Sequence, residues 1–262
     1  LVLNYNLPDF PKNLNLVFSI FSGVTQSLPS IFSNLTKNWW CMGSANYTTY
    51  DNYFFTNGTN NLQLDGDAVV FDGTFNCSIS NPANMPINDD GYTMVVWFYA
   101  NTTTGIQGLV GWGNYGTDNQ ANAFILQNDT LVNSWWNNDL VVSASIQIST
   151  WYNAIASYDP FTNTRSIYLN GVLLGSDNPT GTHNVPTAAN TTVGYAGTNT
   201  VNYQGEIQNV AVYNIPFTLT DAQNYYTSTL PLINTVSYHL MTDSPIESQD
   251  ILTQASDYLN IQ

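Results

Sequence analysis

Nine consecutive residues, Tyr92-Thr93-Met94-Val95-Val96-Trp97-Phe98-Tyr99-Ala100, are almost wholly apolar and rich in β-branched and aromatic side chains. A strand that presents apolar groups at both odd and even positions has to be covered on both faces. The run is too short for a membrane-spanning helix and is set among Gly-, Asn- and Pro-containing turns, so it predicts the central strand of a buried sheet. Similar short segments follow at Gly108–Gly113, Ala123–Leu126, Thr130–Trp136, Leu140–Ile146, Trp151–Tyr158, Thr191–Tyr195 and Gly205–Tyr213. Between Arg165–Leu169 and Val172–Leu174 stands Asn170-Gly171, the pair that supplies the two positive-φ residues of a type I′ hairpin turn. Many short strands with little helical periodicity predict an all-β antiparallel sandwich. One helix is expected near Thr218–Tyr225, with Thr218 or Thr220 as its cap.

The order of several segments resembles the laminin-G-like, concanavalin A-like jelly-roll family. The segments are Trp151-Tyr152-Asn153-Ala154-Ile155-Ala156-Ser157-Tyr158-Asp159, then Ile167-Tyr168-Leu169-Asn170-Gly171, then Tyr203-Gln204-Gly205-Glu206-Ile207-Gln208-Asn209-Val210-Ala211-Val212-Tyr213-Asn214, then Leu219-Thr220-Asp221-Ala222. They match the family's W-x-x-V-A-x-x-Y-D strand, its Y-V-D/N-G hairpin, its G-x-I-D-x-V-R-I-Y-N closing strand and its L-S/T-D-A-E helical turn. Val69-Val70-Phe71-Asp72-Gly73 is similar to the family's F-D-G segment, and Leu1–Pro8 to its opening strand. The resemblance implies a two-sheet sandwich over residues 1–227, with an irregular insertion at about 12–60 and a carboxy-terminal extension at 228–262. The family's histidines after the first Trp are Tyr152 and Asn153 here, and the Asp and Arg of the closing strand are Gln208 and Ala211.

Only Lys12, Lys37 and Arg165 are basic, against 18 acidic residues, for a formal net charge of -15. Nucleic acid and anionic membranes both require clustered cations, so neither is an expected partner. The chain begins at Leu1 rather than methionine, which fits a processed or partial sequence. Cys41 and Cys77 are the two cysteines. In an oxidising compartment they would close a loop of about 36 residues, a stabilisation of roughly 3–4 kcal/mol; two buried free thiols are the other reading. Asn-x-Ser/Thr sequons stand at Asn34, Asn46, Asn57, Asn76, Asn101, Asn128 and Asn190. A chain this rich in Asn, Ser and Thr generates such sequons by chance, but several fall in turn-like stretches where a glycan fits.

For catalysis the residues offer little. Glycoside hydrolysis needs two carboxyl groups flanking one bond, yet Glu206 has no acidic neighbour in its strand and Glu247 lies in the tail. Asp65 and Asp67, and Asp89-Asp90-Gly91, read as turns. His183 and His239 have no nucleophile motif beside them. Calcium, common in the resembled family, would have Asp118, Asp129 and Asp159 available in loops, though no specific site is evident and no cofactor is expected.

Binding has better candidates: Trp112, Tyr115, Trp135 and Trp136 lie among Gly and Asn, and Trp39-Trp40 form a second pair. Adjacent tryptophans on a strand point to opposite faces, so at most one of each pair belongs to the core. The other is free for a sugar or an interface. Low charge, few sites for trypsin-like proteases and exposed aromatics fit a non-catalytic extracellular glycoprotein. The expected role is a structural or adhesive subunit of a surface filament or coat, assembling through sheet edges and Ser228–Gln262, with other glycoproteins or glycans as partners. The alternatives are a monomeric carbohydrate-binding module and a glycoside hydrolase of the same superfamily.

Overall fold

The doubly apolar run at Tyr92–Ala100 is the strand β7, and both of its faces are buried. Tyr92, Met94, Val96 and Phe98 point into the space between two sheets, while Val95 and Trp97 point outward beneath a helix. The computed structural model describes residues 68–74, 76–78, 85–189, 191–197, 202–230 and 233 in full. It gives the backbone alone of residue 79 and of strands at 16–21, 37–42, 53–57 and 63–65.

Strands are numbered along the chain. The first sheet contains β5 (Ala68–Asp72), β16 (Gln204–Tyr213), β7, β12 (Trp151–Asp159), β13 (Thr164–Leu169) and β14 (Val172–Asp177), adjacent in that order. The second contains β6 (Asn76–Ile79), β15 (Thr191–Val193), β8 (Ile106–Gly113), β9 (Ala121–Gln127), β10 (Thr130–Ser134) and β11 (Asp139–Ser143). Each antiparallel sheet thus has six strands, a jelly-roll sandwich as expected. A short β4 (Gln63–Asp65) pairs with β5, Asp65 opposite Ala68, and Asp67 lies outside the described residues.

One expectation does not hold. The stretch read as an irregular insertion carries β1 (Leu16–Phe21), β2 (Lys37–Met42) and β3 (Tyr53–Asn57). β1 lies antiparallel to β16, β2 parallel to β1, and β3 parallel to β2 and antiparallel to β6, so the three link the two sheets. Leu-Val-Phe-Ser-Ile-Phe has the β-branched and aromatic content of a strand; the scattered Gly, Pro and Asn around it hid the signal. The opening strand expected at Leu1–Leu7 lies outside the described residues, as does the tail beyond Ile233.

The helix α1 (Leu219–Thr229) starts where the motif placed it, with Thr218 as N-cap. The Thr218 hydroxyl accepts from the Asp221 N–H while the Asp221 carboxylate accepts from the Thr218 N–H at 2.9 Å, a reciprocal capping box. Ala222 and Tyr225 bury its inner face on Val95, Trp97, Ile155 and Ala211. Trp97 donates from Nε1 to the Thr229 hydroxyl at 2.8 Å and stacks on Tyr226 with centroids 5.7 Å apart. The Asn170-Gly171 turn has the positive φ values, 50° and 75°, that a type I′ turn requires.

Beside Trp97, opposite it on β12, Asn153 is fully buried and neither atom of its side-chain amide has a partner. A buried amide without partners costs about 1–3 kcal/mol. Asn153→Val, which puts a β-branched side chain in the strand, is therefore expected to raise stability by about 1 kcal/mol. A urea midpoint shifted upward at unchanged slope would show it; a lowered midpoint would mean that the amide is partnered in solution.

Candidate functional site

Two of the tryptophans proposed for binding are core residues. Trp112 is fully buried and donates from Nε1 to the Pro86 carbonyl at 2.7 Å. Trp135, 1% exposed, donates from Nε1 to the Tyr92 hydroxyl at 2.9 Å and stacks on His183 with centroids 4.0 Å apart. Both sit in the inward phase of their strands, so neither presents a face to solvent. Trp39 and Trp40 lie on β2, in backbone register with Ile20 and Tyr53, and their side chains are outside the described residues.

Trp136 is the exception, and its backbone is strained. The Trp135 N–H donates to the Asn138 carbonyl at 3.1 Å, closing a two-residue turn between β10 and β11. The turn residues Trp136 and Asn137 have φ of 66° and 55°. This is the type I′ geometry that Asn-Gly ordinarily occupies, and a bulky aromatic there is a rare, costly choice. The result is that the indole leaves the strand at its end and stays half-buried at the surface. Its ring meets Tyr115 at 6.3 Å between centroids, with an interplanar angle of 59°. Gly197, with φ of 106°, lies against both rings: a Cβ there would stand 3.2 Å from Tyr115 Cδ1 and 3.7 Å from Trp136 Cζ3. Tyr115 itself reaches over β8, where a Cβ on Gly111 would collide with its hydroxyl. It packs on a small apolar cluster of Ala123, Ile125, Val132 and Ala196, the first three of which alternate with the sandwich-core positions of their strands.

Two loops brace this aromatic pair. The Asn137 amide donates to Asp118 Oδ1 at 2.8 Å, and the Asn119 N–H to the Trp136 carbonyl at 3.3 Å. Asn138 Nδ2 donates to Asn119 Oδ1 at 2.6 Å and to the Thr180 carbonyl at 2.7 Å. Beneath the turn, Arg165 is fully buried, with its guanidinium carbon 4.5 Å from the Trp135 ring centroid. It donates to the Asn138 carbonyl at 2.7 Å and forms a fork to Asp177, Nε to Oδ1 at 3.0 Å and Nη2 to Oδ2 at 2.6 Å. Sequence reasoning missed this role; the one available signal was that the chain keeps so few cations.

His183 Nε2 lies 3.0 Å from Asn122 Oδ1, and Nδ1 is 3.5 Å from Asp89 Oδ1. Burial, then the Arg165 charge, pushes its pKa down to about 3, so the imidazole is neutral and its approach to Asp89 is not an ion pair. Tyr158 donates to the same Asp89 oxygen at 2.9 Å. This cluster holds the loop before β7 in place.

The aspartates available for calcium stay apart. Asp118 is bonded to Asn137, Asp129 occupies the turn after β9 with φ of 65°, and Asp159 closes the turn after β12. Among the described residues no three His, Cys, Asp or Glu side chains gather as metal ligands. Glu206 lies on β16 opposite Tyr99 and Val70; Glu247 and His239 are outside the described residues.

Of the sequons, Asn101 and Asn128 are exposed. Asn128 Oδ1 accepts from the Gly105 N–H at 2.9 Å, which leaves its nitrogen outward. Asn76 is half-buried on β6 and its Nδ2 donates to Asn202 at 3.0 Å. Asn57 is its cross-strand neighbour on β3, while Asn34, Asn46 and Asn190 fall outside the described residues.

Known folds accord with this architecture. The CBM40 of a Ruminococcus gnavus IT-sialidase, solved with α2,3-sialyllactose, superposes with a TM-score of 0.47 at 16% identity, over 63% of this chain and 98% of that one. Domain 4 of AbnA, a GH43 extracellular arabinanase from Geobacillus stearothermophilus solved with arabinotriose, gives 0.45 at 16% identity, over 64% and 81%. A mutant of HCR D/C VPI 5995 gives 0.52 at 12% identity, over 69% of this chain and 48% of that one. Such identities speak to fold alone. No curated protein matches by sequence. The family model for Laminin_G_3, described as the concanavalin A-like lectin/glucanases superfamily, matches residues 71–223, more than half of the sequence, and the chain belongs to that family.

Proposed function

We propose that this protein is a non-catalytic carbohydrate-binding module whose site is centred on Trp136 and Tyr115. The observation that carries the reading is Trp136 itself: an indole placed at a strained, positive-φ turn position, with two loops holding it there. Strain retained at a surface residue marks a position that the surroundings over-determine. Sugar rings stack on flat aromatic faces, and the amide of Asn137 with the carboxylate of Asp118 at the rim suits hydroxyl recognition. The family to which the chain belongs is described by its lectins and glucanases, which suits the same reading. The filament or coat subunit has no comparable support, because the tail on which assembly was to depend lies largely outside the described residues.

Trp136→Ala is expected to leave the far-ultraviolet spectrum unchanged and to weaken glycan binding at least tenfold, as read on an array of neutral and sialylated glycans. Retention of wild-type binding by this variant would remove the site from consideration.

Extracellular location, glycosylation and a Cys41–Cys77 bond belong to the same proposal. The Cys77 thiol is not free, and it is buried on β6. From a eukaryotic secretory host, glycopeptide mass spectrometry is expected to find Asn101 and Asn128 occupied. Asn76 should be bare, because its nitrogen is already bonded to Asn202. A fully occupied Asn76 with a native fold would contradict this placement.

A further inference from the structure

The two sheets end side by side, the first at β14 and the second at β11, and each of these strands pairs on one side only. They lie close together, since a Cβ on Gly175 of β14 would stand 2.8 Å from a methyl of Val142 on β11. An open edge is a template for another strand, and proteins ordinarily blunt it with Lys, Pro, a bulge or an inward-pointing charge. β14 is blunted. Its register slips at Leu174, between the Ile167–Gly175 and Tyr168–Leu173 pairs, and Asp177 at its end is held by Arg165. β11, Asp139-Leu140-Val141-Val142-Ser143, has none of these devices, and its pairing with β10 is regular from end to end.

Which groups face the opening follows from the ladder. The Trp135 N–H donates to the Asn138 carbonyl, and the Ala144 N–H to the Asp129 carbonyl at 2.9 Å. Hydrogen-bonded pairs alternate along an antiparallel ladder, so Leu140 and Val142 also turn their main-chain groups toward β10. Asp139, Val141 and Ser143 turn theirs to the open edge, where none has a hydrogen-bond partner among the described residues. Their side chains are exposed as well, Val141 at 55%.

We infer that β11 is a self-complementary edge whose partner is a second copy of this chain, joined by antiparallel β11–β11 pairing about a two-fold axis at Val141. In that register Val141 meets the partner's Val141, and Asp139 meets the partner's Ser143. The outward groups of both copies then satisfy one another in about six main-chain hydrogen bonds. Each carboxylate faces a hydroxyl across the join, not its own copy. Strand rise sets the two Asp139 side chains about 14 Å apart, beyond the screening length of about 8 Å at physiological ionic strength. Slipping the register by two residues leaves outward groups of each strand unpaired. The same patch serves both copies, so the contact closes at two and builds no filament. A join this short has a dissociation constant of about 10–100 µM. Paired antiparallel strands keep their outer faces on one side, so the dimer presents both Trp136 turns on that side, roughly 30 Å apart along the joined hairpins. This consequence, unlike the pairing itself, rests on the Trp136 reading; it makes the dimer a two-site binder of a glycan-coated surface.

Sedimentation equilibrium of the full chain over about 5–500 µM tests the pairing, and the wild type is expected to pass from monomer to dimer in that range. Val141→Lys sets two cations against each other on the axis and should weaken association at least tenfold. Val172→Lys, a similarly exposed change on β14, should leave association as it is. Near-ultraviolet dichroism confirms that both variants are folded. Under mild oxidation Val141→Cys should cross-link to its own copy, because a hydrogen-bonded antiparallel pair holds its Cα atoms about 5.5 Å apart. Ser143→Cys should cross-link only when mixed with Asp139→Cys. On a dense glycan surface Val141→Lys should bind about tenfold more weakly than wild type, yet equally well to a monovalent sugar in solution. A wild type that stays monomeric at the highest concentration overturns the pairing and leaves the edge to a strand of another protein or to none. A dimer that survives Val141→Lys, or that only Val172→Lys breaks, places the contact elsewhere and overturns it equally. A dimer that forms as described but binds no glycan overturns the Trp136 reading alone.

Discussion

Replacing Arg165 with leucine is expected to destabilise the protein by about 3–5 kcal/mol, the range for breaking one partner out of a buried ion pair. Arg165 is fully buried, whereas the Asp177 side chain retains 33% exposure. The loss is therefore dominated by acceptors left behind in the interior. The Asn138 carbonyl loses its 2.7 Å donor, and Trp135 loses the cation above its ring. Arg165→Lys keeps a charge but supplies no planar fork, so it cannot serve Asp177 and Asn138 together and should recover only part of the loss. Pairing Arg165→Leu with Asp177→Leu removes the stranded carboxylate and should recover more than the sum of the single changes allows. Urea denaturation at neutral pH measures each variant. A loss below about 1 kcal/mol for Arg165→Leu would place the pair among weak surface bridges and refute the account. Because the Asn138 carbonyl closes the turn that presents Trp136, the same variant should also weaken glycan binding beyond any fraction unfolded.

That coupling explains which parts of this molecule are legible in its sequence. β7 is readable because apolarity at both parities has one interpretation; the Asn170-Gly171 turn and the Thr218 cap are readable because each has a local chemical reason. For Trp135-Trp136, parity alone requires that one ring leave the core. Which one leaves depends on the phase of β10, fixed by its pairing with β9, and so is a property of the sheet. The positive-φ turn was hidden for a related reason: Trp-Asn is not a turn pair by composition, and it is tolerated here through contacts from loops about 20 and 40 residues away. Arg165 offered only scarcity, since nothing local in the sequence shows that the Asn138 carbonyl, from the turn after β10, and Asp177, at the end of β14, meet on it. The strands at 16–57 lacked both alternation and recognisable turns, and they take shape by pairing with β16, roughly 200 residues on for β1, and with β6.

Above pH 10 the fold is expected to collapse over about one pH unit, because its interior is rich in tyrosines that are neutral only while buried. Burial pushes the Tyr92 pKa up to about 12, and raises those of Tyr203, Tyr213 and Tyr225 well above the ordinary phenol value as well. Hydrogen bonds from Trp135 to Tyr92 and from Asn209 to Tyr225 offset only part of the desolvation. Each of these groups has a folded value above the unfolded value of 10.0, so its contribution to stability is complete below pH 10 and is withdrawn as the pH climbs toward the folded value. One such group withdraws about 1.4 kcal/mol per pH unit, and the four together roughly 5 kcal/mol per unit. At that slope a typical net stability of about 5–15 kcal/mol is exhausted between about pH 11 and pH 13. Tyrosinate absorbance should therefore rise in two stages: an early gradual one from exposed phenols among the seventeen, then a step coincident with loss of the near-ultraviolet circular dichroism. Tyr92→Phe, which removes one titrating group at the cost of the hydroxyl bonds to Trp135 and Asn133, should make the step shallower even while lowering stability at neutral pH. All seventeen phenols titrating smoothly near pH 10 with the dichroism intact would mean that the rings packed between the sheets are open to water, and the sandwich core described above would have to be redrawn.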